Sequence, residues 1–208
     1  MNHPLSSENF SGLPGLYGIV VCGGRSSRMG TDKSLLQYHG RPQYLHLYHM
    51  LEPFCEKVFI SCNSTQVDTI LNGYPILADL SIYNNIGPMA ALLTAFQQFP
   101  GKDMLIIGCD YPFLCPEDID AFLQSLEKTA FATAFYNEAA GMYEPLLACY
   151  SHRCAAALLK MYENKTRSLQ HLLFDNKANK FFPANLRCIK SVDTEDEYRK
   201  AKVLVNNG

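Results

Sequence analysis

The feature that most constrains this chain is the regular alternation of short apolar runs with segments patterned as helices. Strands are predicted at the apolar runs 17–22, 57–62, 75–78 and 103–108. Helical patterns lie between or after them, at 42–51, 66–71, 87–99 and 116–126. Strands separated by helices of this length form parallel βαβ units, whose crossover helices cover both faces of one sheet. The first half of the sequence therefore predicts an α/β fold with a parallel sheet.

The second half continues the alternation with shorter elements. Further strands are predicted at 131–136, 145–150 and 187–189, and helices at 153–162, 168–174 and 194–204. Together with the first half, this pattern predicts a three-layer α/β/α sandwich with a mainly parallel, Rossmann-like sheet. Ligands of such folds bind outside the carboxyl ends of the strands, so the loops after positions 22, 78 and 108 are the candidate binding loops.

Length and composition fit one compact domain. The chain has 208 residues, of which 48 % are hydrophobic, which is enough to build a single sizeable core. We predict a flexible leader at 1–15 and one domain at 16–208, because the leader is polar and rich in Ser, Pro and Gly. The leader lacks the charged and apolar regions of a signal peptide, which favours a cytoplasmic location and reduced, core-packed cysteines rather than disulfides or a cysteine metal site.

Charge and hydropathy exclude two classes of partner. The formal net charge is −2, and charged residues make up 18 % of the chain, without the basic excess that is typical of nucleic-acid or membrane-surface binders. The sequence also lacks an apolar run approaching the roughly 18 residues of a membrane span. We therefore expect no nucleic-acid partner and no membrane.

A glycine-rich, cationic loop follows the first predicted strand. Glycines allow backbone N–H groups to approach an anion closely, and the segment begins Gly23-Gly24. Arg28 and Lys33 then supply positive charge for a phosphate chain. The spacing matches neither a Walker A loop nor a dinucleotide fingerprint. The alternative is an ordinary Gly- and Ser-rich connection between a strand and a helix.

An aspartate follows the predicted strand 103–108. At that position Asp110 would lie at the carboxyl edge of the sheet, beside the glycine-rich loop. Mg²⁺ prefers oxygen ligands and commonly uses one or two carboxylates together with substrate phosphates. Asp110 is therefore the candidate magnesium ligand, and its alternative role is that of a turn residue before Pro112.

The segment after the first predicted strand resembles the signature of a known family. It reads Val21-Cys22-Gly23-Gly24-x-Ser26-x-Arg28-Met29-Gly30-x-Asp32-Lys33 and is similar to the pattern L-A-G-G-x-S-x-R-M-G-x-D-K of the molybdenum cofactor guanylyltransferases. Val21 and Cys22 depart from the Leu and Ala that the family usually has. The wider resemblance runs from about residue 17 to 201, and includes Gly87-Pro88-Met89 and Cys109-Asp110-Tyr111-Pro112.

The resemblance implies an activity and a set of site residues. It implies transfer of GMP from Mg²⁺-bound GTP to the phosphate of molybdopterin, with Arg28, Lys33 and Asp110 as catalytic residues. The implied nucleotide-binding residues are Val21, Cys22, Gly23, Gly24, Lys33, Asn63, Asp79 and Asp110. Asp193 matches a second metal position, although it or Thr194 could instead cap the last helix. Partners that supply or receive the cofactor, including molybdoenzymes, are also implied.

Base selection rests on two observations. Guanine presents an N1–H and an exocyclic amine, so a carboxylate such as Asp79 suits it, while a turn role is the alternative for that residue. The resemblance adds that Gly23-Gly24 is the guanylyltransferase form of the loop, whereas cytidylyltransferases tend to have Ala then Gly. The alternatives are a CTP-using relative, a sugar- or polyol-phosphate acceptor, and a catalytically silent binding homologue.

Overall fold

The computed structural model describes residues 12–22 and 32–206. The strands are β1 (Leu13–Val21), β2 (Cys55–Cys62), β3 (Ile76–Ala78), β4 (Asp103–Gly108), β5 (Ala132–Asn137), β6 (Met142–Tyr150) and β7 (Asn179–Phe181). The helices are α1 (Gln43–Leu51), α2 (Met89–Gln98), α3 (Pro116–Gln124), α4 (Cys154–Glu163), α5 (Leu169–Asp175) and α6 (Glu195–Asn206). Short 3₁₀ turns cover Lys33–Leu35, Val67–Thr69, Ser81–Tyr83 and Leu186–Ile189.

The strands of the described residues form one sheet in the order β3-β2-β1-β4-β6-β5-β7. The first four positions, β3 to β4, are parallel to one another. The next strand, β6, runs antiparallel to both β4 and β5, and β7 is parallel to β5. The start of β6 therefore lies at the edge of the sheet where β4 ends.

Helices cover both faces of the sheet, which confirms the predicted three-layer α/β/α fold. On one face α2, α4 and α5 pack on alternate strand residues such as Ile19 and Ile106, which are fully buried. On the other face α1 and α3 pack on the intervening residues, including Val20 and Leu105. Burying one such aliphatic side chain contributes about 1.5–3 kcal/mol, so the two apolar layers stabilise the sheet. The last helix, α6, adds a smaller cluster that contains Tyr38 and Val192.

The predicted helix after Asp110 begins where its sequence indicates. Pro116 occupies the first turn, and the Cys115 N–H donates to Asp118 Oδ2 over 3.1 Å, which satisfies a backbone donor at the helix start. Ile119 and Phe122 of this helix are packed into the core, so the position of the helix is fixed. The segment that carries Asp110 leads directly into the helix and is therefore anchored at its far end.

Local expectations differ from the structure at several points, including the predicted helix at 66–71, which is a 3₁₀ turn at Val67–Thr69. β1 begins at Leu13, inside the segment assigned to the leader, because Leu13 pairs with Cys55 and Gly15 takes a positive φ of 84° that lets the strand bulge. The predicted strand at 187–189 is wrong, since Leu186–Ile189 forms a 3₁₀ turn. The short strand β7 was missed, because three residues give no readable alternation. Within the described residues no helix is long and apolar enough to cross a membrane.

Candidate active site

The carboxyl ends of β1 and β4 form the centre of the candidate site. The two strands are adjacent and parallel, with Val21 opposite Gly108, so the residues that follow them emerge side by side. The Cys109 N–H donates to the Val21 carbonyl over 3.3 Å, which extends this pairing past the last strand residue. Cys22 follows on the β1 side, and its N–H donates to the Ser61 carbonyl of β2 over 2.8 Å.

Most of the predicted phosphate loop lies outside the described residues, including Gly23, Gly24 and Arg28. Its two ends are described, and Gln66 contacts both of them. The Gln66 Nε2 group donates to Asp32 Oδ2 over 2.5 Å and lies 3.4 Å from the Cys22 carbonyl. Gln66 was not predicted as a site residue, because a glutamine in a short 3₁₀ region gives no motif. Its side chain holds the entry and the exit of the loop together.

Lys33 follows the loop and reaches across the site to Asp193. Its position is fixed by the preceding Asp32, whose Oδ1 accepts from the Ser34 N–H at 2.9 Å and from Ser34 Oγ at 2.7 Å. The Lys33 ammonium group forms an ion pair with Asp193 Oδ1. Two of the predicted site residues, 160 positions apart in the chain, are thus in contact.

The hydrogen bonds at the start of α6 show which of the two roles considered for Asp193, helix cap or site residue, the structure favours. Glu197 Oε2 accepts from the Asp193 and Thr194 N–H groups at 2.9 and 3.0 Å, and Thr194 Oγ1 accepts from the Glu197 N–H at 3.3 Å. This reciprocal arrangement is a capping box, with Thr194 as the cap of α6. The Asp193 carboxylate instead contacts Lys33 and accepts from Ser191 Oγ, so it faces the site.

Asp110 lies two residues after β4, with its carboxylate turned into the sheet edge. Its Oδ1 is buried and has no hydrogen-bond partner among the described residues. A Cβ on Gly108 would lie 2.6 Å from this oxygen, so glycine at that position leaves room for the carboxylate. The Asp110 backbone carbonyl accepts from the Val192 N–H over 2.8 Å, and this bond joins the end of β4 to the segment before α6.

The electrostatics of Asp110 follow from this burial. Burial raises the pKa of Asp110, the neighbouring Lys33 ammonium opposes that rise, and the Asp193 carboxylate adds to it. An ionised carboxylate that is partly removed from water is stabilised by a cation. Lys33 supplies part of this positive charge, and a bound cation would supply the rest.

The donor set fits a magnesium ion. Asp110 offers a buried oxygen without a protein partner, and Asp193 brings a second carboxylate to the same side of the sheet. In the described part of the chain, no group of three or more His, Cys, Asp and Glu side chains is arranged to hold a metal. Mg²⁺ does not need such a cage, because it is commonly held by one or two carboxylates, water and substrate phosphates.

The two predicted base-reading residues lie at the ends of β2 and β3. Asp79 donates its N–H to the Cys62 carbonyl over 3.0 Å, and its Oδ1 is buried without a hydrogen-bond partner among the described residues. Burial raises the pKa of Asp79 to about 6. Asn63 uses its Oδ1 to accept from the Thr65 N–H and Oγ1, at 2.9 and 2.6 Å. Its amide N–H groups are therefore the ones that could contact a base.

A further carboxylate lies on the opposite side of Asp110 and was not predicted. Glu144 is near the start of β6, and its Oε2 accepts from the Tyr111 hydroxyl over 2.9 Å. The predicted strand began at 145, so this residue was assigned to a loop. The available signal was its position directly before Pro145, within the span of about 17 to 201 that the family resemblance covers.

A lysine–carboxylate pair near a buried aspartate, at the carboxyl edge of a three-layer α/β sheet, is typical of a nucleotidyltransferase. Comparison with known proteins narrows this class. The chain belongs to the MobA-like NTP transferase domain family, whose model matches residues 18–179.

Named relatives agree with this assignment. A molybdenum cofactor biosynthesis bifunctional protein of Synechocystis is 31 % identical over 88 % of this chain, which spans only 52 % of that protein. A molybdenum cofactor guanylyltransferase of Pseudomonas entomophila is 27 % identical over 74 % of this chain and 80 % of its own length.

One solved structure supports the fold. It is the molybdopterin-guanine dinucleotide biosynthesis protein A from Archaeoglobus fulgidus, which superposes with a TM-score of 0.74 at 18 % identity. The superposition covers 92 % of this chain and all of that one, so the two chains share one fold over most of this chain.

Proposed function

We propose that this protein transfers GMP from Mg²⁺-bound GTP to the terminal phosphate of molybdopterin, releasing pyrophosphate and forming the guanine dinucleotide cofactor. The observation that carries the proposal is the buried, unpartnered Asp110 carboxylate beside the Lys33–Asp193 pair. The names of the relatives support the choice of GTP and of a pterin acceptor. A cytoplasmic location and partners that deliver or receive the cofactor belong to the same proposal.

The reaction needs charge neutralisation and alignment rather than a protein nucleophile. An oxygen of the acceptor phosphate attacks the α-phosphorus of GTP, a new P–O bond forms, and the bond to the β-phosphate oxygen breaks as pyrophosphate leaves. Lys33 would neutralise charge on the triphosphate, together with Arg28 and the N–H groups at Gly23 and Gly24. Mg²⁺ held by Asp110 and Asp193 would supply further neutralisation of the phosphate oxygens.

Guanine recognition is assigned to Asp79. A carboxylate only accepts hydrogen bonds, and the guanine edge offers two neighbouring donors, N1–H and the exocyclic amine. The buried Oδ1 of Asp79 would gain a partner from such a base, and the Asn63 amide could donate to the guanine O6. The equivalent edge of cytosine offers only one donor group, so the pair of residues favours GTP over CTP.

Two rival functions make different predictions. A CTP-using relative, or one with a sugar- or polyol-phosphate acceptor, would keep Asp110 and Lys33 but change the base or the acceptor. A silent binding homologue would keep the fold without turnover. The charges in the site argue against a silent homologue, because Lys33, Asp110 and Asp193 are brought together from three distant segments at the cost of partly burying ionised groups.

Thermal unfolding with nucleotides is the first test. The purified protein is heated with GTP, CTP, ATP or UTP, each with and without Mg²⁺. A ligand that binds only the folded state adds about 2.7 kcal/mol at a hundredfold excess over Kd. We expect a Mg²⁺-dependent shift with GTP that exceeds the other three, followed by pyrophosphate release when molybdopterin is added. A larger shift with CTP would overturn the base assignment, and GTP binding without transfer would favour the silent homologue.

A further inference from the structure

Glu144 lies near Asp110, on the side of β4 away from β1. Strands β4 and β6 pair antiparallel with Ile107 opposite Leu147. The two strands stay close beyond this pair, because a Cβ on Gly108 would lie 3.1 Å from the Leu146 Cβ. Asp110 follows Gly108 by two residues and Glu144 precedes Leu146 by two, so both lie near this end of the β4–β6 pairing. Burial raises the pKa of Glu144, and the nearby Asp110 carboxylate adds to that rise.

The Glu144 side chain is held in place by the residue after Asp110. Tyr111 is buried, and its hydroxyl donates to Glu144 Oε2 over 2.9 Å. A hydrogen bond to a carboxylate from a ring packed in the core restricts both side chains. The Asn137 side chain is a second hydrogen-bonding partner of Glu144. The carboxylate retains acceptor capacity beyond these two partners, because an ionised carboxylate has about four lone-pair sites.

The charge around Glu144 limits what it can bind. Asp110 and Asp193 already bring negative charge to this edge, so Glu144 would repel a phosphate. Under the proposed function, Lys33 and a magnesium ion held by Asp110 and Asp193 would bind the phosphates instead. A carboxylate in this position suits hydrogen-bond donors, and ring N–H groups suit it best because they cannot accept. Hydroxyl groups both donate and accept, so they could be bound equally well by an amide.

We propose that Glu144, held by Tyr111, recognises the acceptor by accepting hydrogen bonds from N–H groups of a heterocyclic ring system attached to the acceptor phosphate. The inference rests on the proposed nucleotidyl transfer and adds a residue that selects the second substrate. It distinguishes a phosphorylated N-heterocycle from a sugar or polyol phosphate. Tyr111 is a positioning residue in this scheme, since it acts through Glu144.

The test is Glu144→Gln in the full chain, with GTP and molybdopterin as substrates. Glutamine keeps the size of the side chain and an oxygen that can accept from Tyr111, so a purely structural role predicts wild-type kinetics. Recognition of N–H donors predicts a rise of about 10- to 100-fold in the KM for molybdopterin, the range expected for losing a charge-assisted hydrogen bond. The KM for GTP and the GTP-induced thermal shift should stay within about twofold of wild type, as expected of a residue outside the nucleotide half.

Two variants serve as controls for this test. Glu138→Gln changes an exposed carboxylate in the turn between β5 and β6 and should leave every parameter unchanged. Tyr111→Phe keeps the ring but removes the hydroxyl, and should raise the KM for molybdopterin by less than Glu144→Gln does. Its KM for GTP should not change.

The outcomes separate this inference from the proposed function. If the wild type transfers GMP to molybdopterin and Glu144→Gln has an unchanged KM for it, the Glu144 role is wrong while the proposed function stands. A change in the Mg²⁺ requirement of Glu144→Gln, in place of the acceptor KM, would make it a metal ligand and overturn the recognition role. If the wild type transfers nothing to molybdopterin, the proposed function fails and takes this inference with it.

Discussion

The two halves of the sheet supply the site in different ways. In the parallel half, β3-β2-β1-β4, functional side chains lie just after strand ends, as Asp79 and Asp110 do. In the mixed half, β6-β5-β7, the reversed direction of β6 brings the start of a strand to the same edge, and Glu144 lies there. In the parallel half, the rule that sites lie after the carboxyl ends of strands is enough to find candidate residues. In the mixed half, the direction of each strand must be known first.

The halves also differ in charge. At the end of the parallel half, Lys33 pairs with Asp193 near the buried Asp110, and the proposed function assigns these groups to a nucleotide with its metal. The mixed half contributes the Glu144 carboxylate, which accepts from the Tyr111 hydroxyl and lies near Asp110. If this division is correct, variants should separate into those that abolish turnover, those that change nucleotide binding and those that change only stability.

Asp110→Asn at the boundary between the halves should have the largest effect. We expect the turnover rate to fall by about a thousandfold, because the amide no longer supplies the negative oxygen for Mg²⁺. The melting temperature should not fall, since the variant removes a charge whose burial raises its pKa. Asp120→Asn, on the exposed side of α3, is the control. Turnover within tenfold of wild type would contradict the metal role of Asp110.

Asp79→Asn should affect the parallel half alone, in a pH-dependent way. The pKa of Asp79 is raised from 3.8 to about 6, so the folded protein holds its proton more tightly than the unfolded chain. The stability from this group is therefore complete below about pH 4 and is lost as pH rises through about 6. Wild type and variant should be equally stable near pH 4, and the variant more stable by about 1–2 kcal/mol at pH 7.5, after allowance for solvent screening.

The same variant tests base recognition. The ionised carboxylate is the form that accepts from guanine, so GTP affinity at pH 7.5 should fall by about tenfold in Asp79→Asn, as expected for losing a hydrogen bond to a charged group. Calorimetric titration at pH 5 and 7.5 measures the GTP affinity of the wild type and of Asp79→Asn. A fall that is equally large for ATP would show that Asp79 supports the fold of the site and not the base.

The sequence predicted the parallel half better than the mixed half for a physical reason. Parallel strands are buried on both faces and appear as continuous apolar runs that end at a loop, which is how Asp79 and Asp110 were found. By contrast, β6 begins with Met142 exposed and Glu144 half-buried, so its first residues resembled a loop. Gln66 was missed because its contacts join two segments 34 and 44 residues away, and no local pattern reports such contacts.

Thr194→Ala should have the smallest effect and none on chemistry. Loss of the cap of α6 should lower the free energy of unfolding by about 1 kcal/mol, measured by denaturant titration, with turnover unchanged. Asp193→Asn is the matched neighbour. It should keep stability within about 0.5 kcal/mol, because half-exposed ion pairs contribute little. The Mg²⁺ concentration for half-maximal activity should rise in this second variant only.

The contact between Lys33 and Asp193 also has a consequence for the order of events in folding. The two residues are 160 positions apart, and the Asp110 carbonyl is fixed by Val192 rather than by a near neighbour in the chain. Closing loops of this length costs entropy that only a formed core can repay, so these contacts are expected to be among the last to form. A chain still on the ribosome could complete β1 to β4 and bury their apolar faces while lacking the C-terminal side of its site. The appearance of catalytic activity would then be a stricter test of complete folding than the appearance of secondary structure.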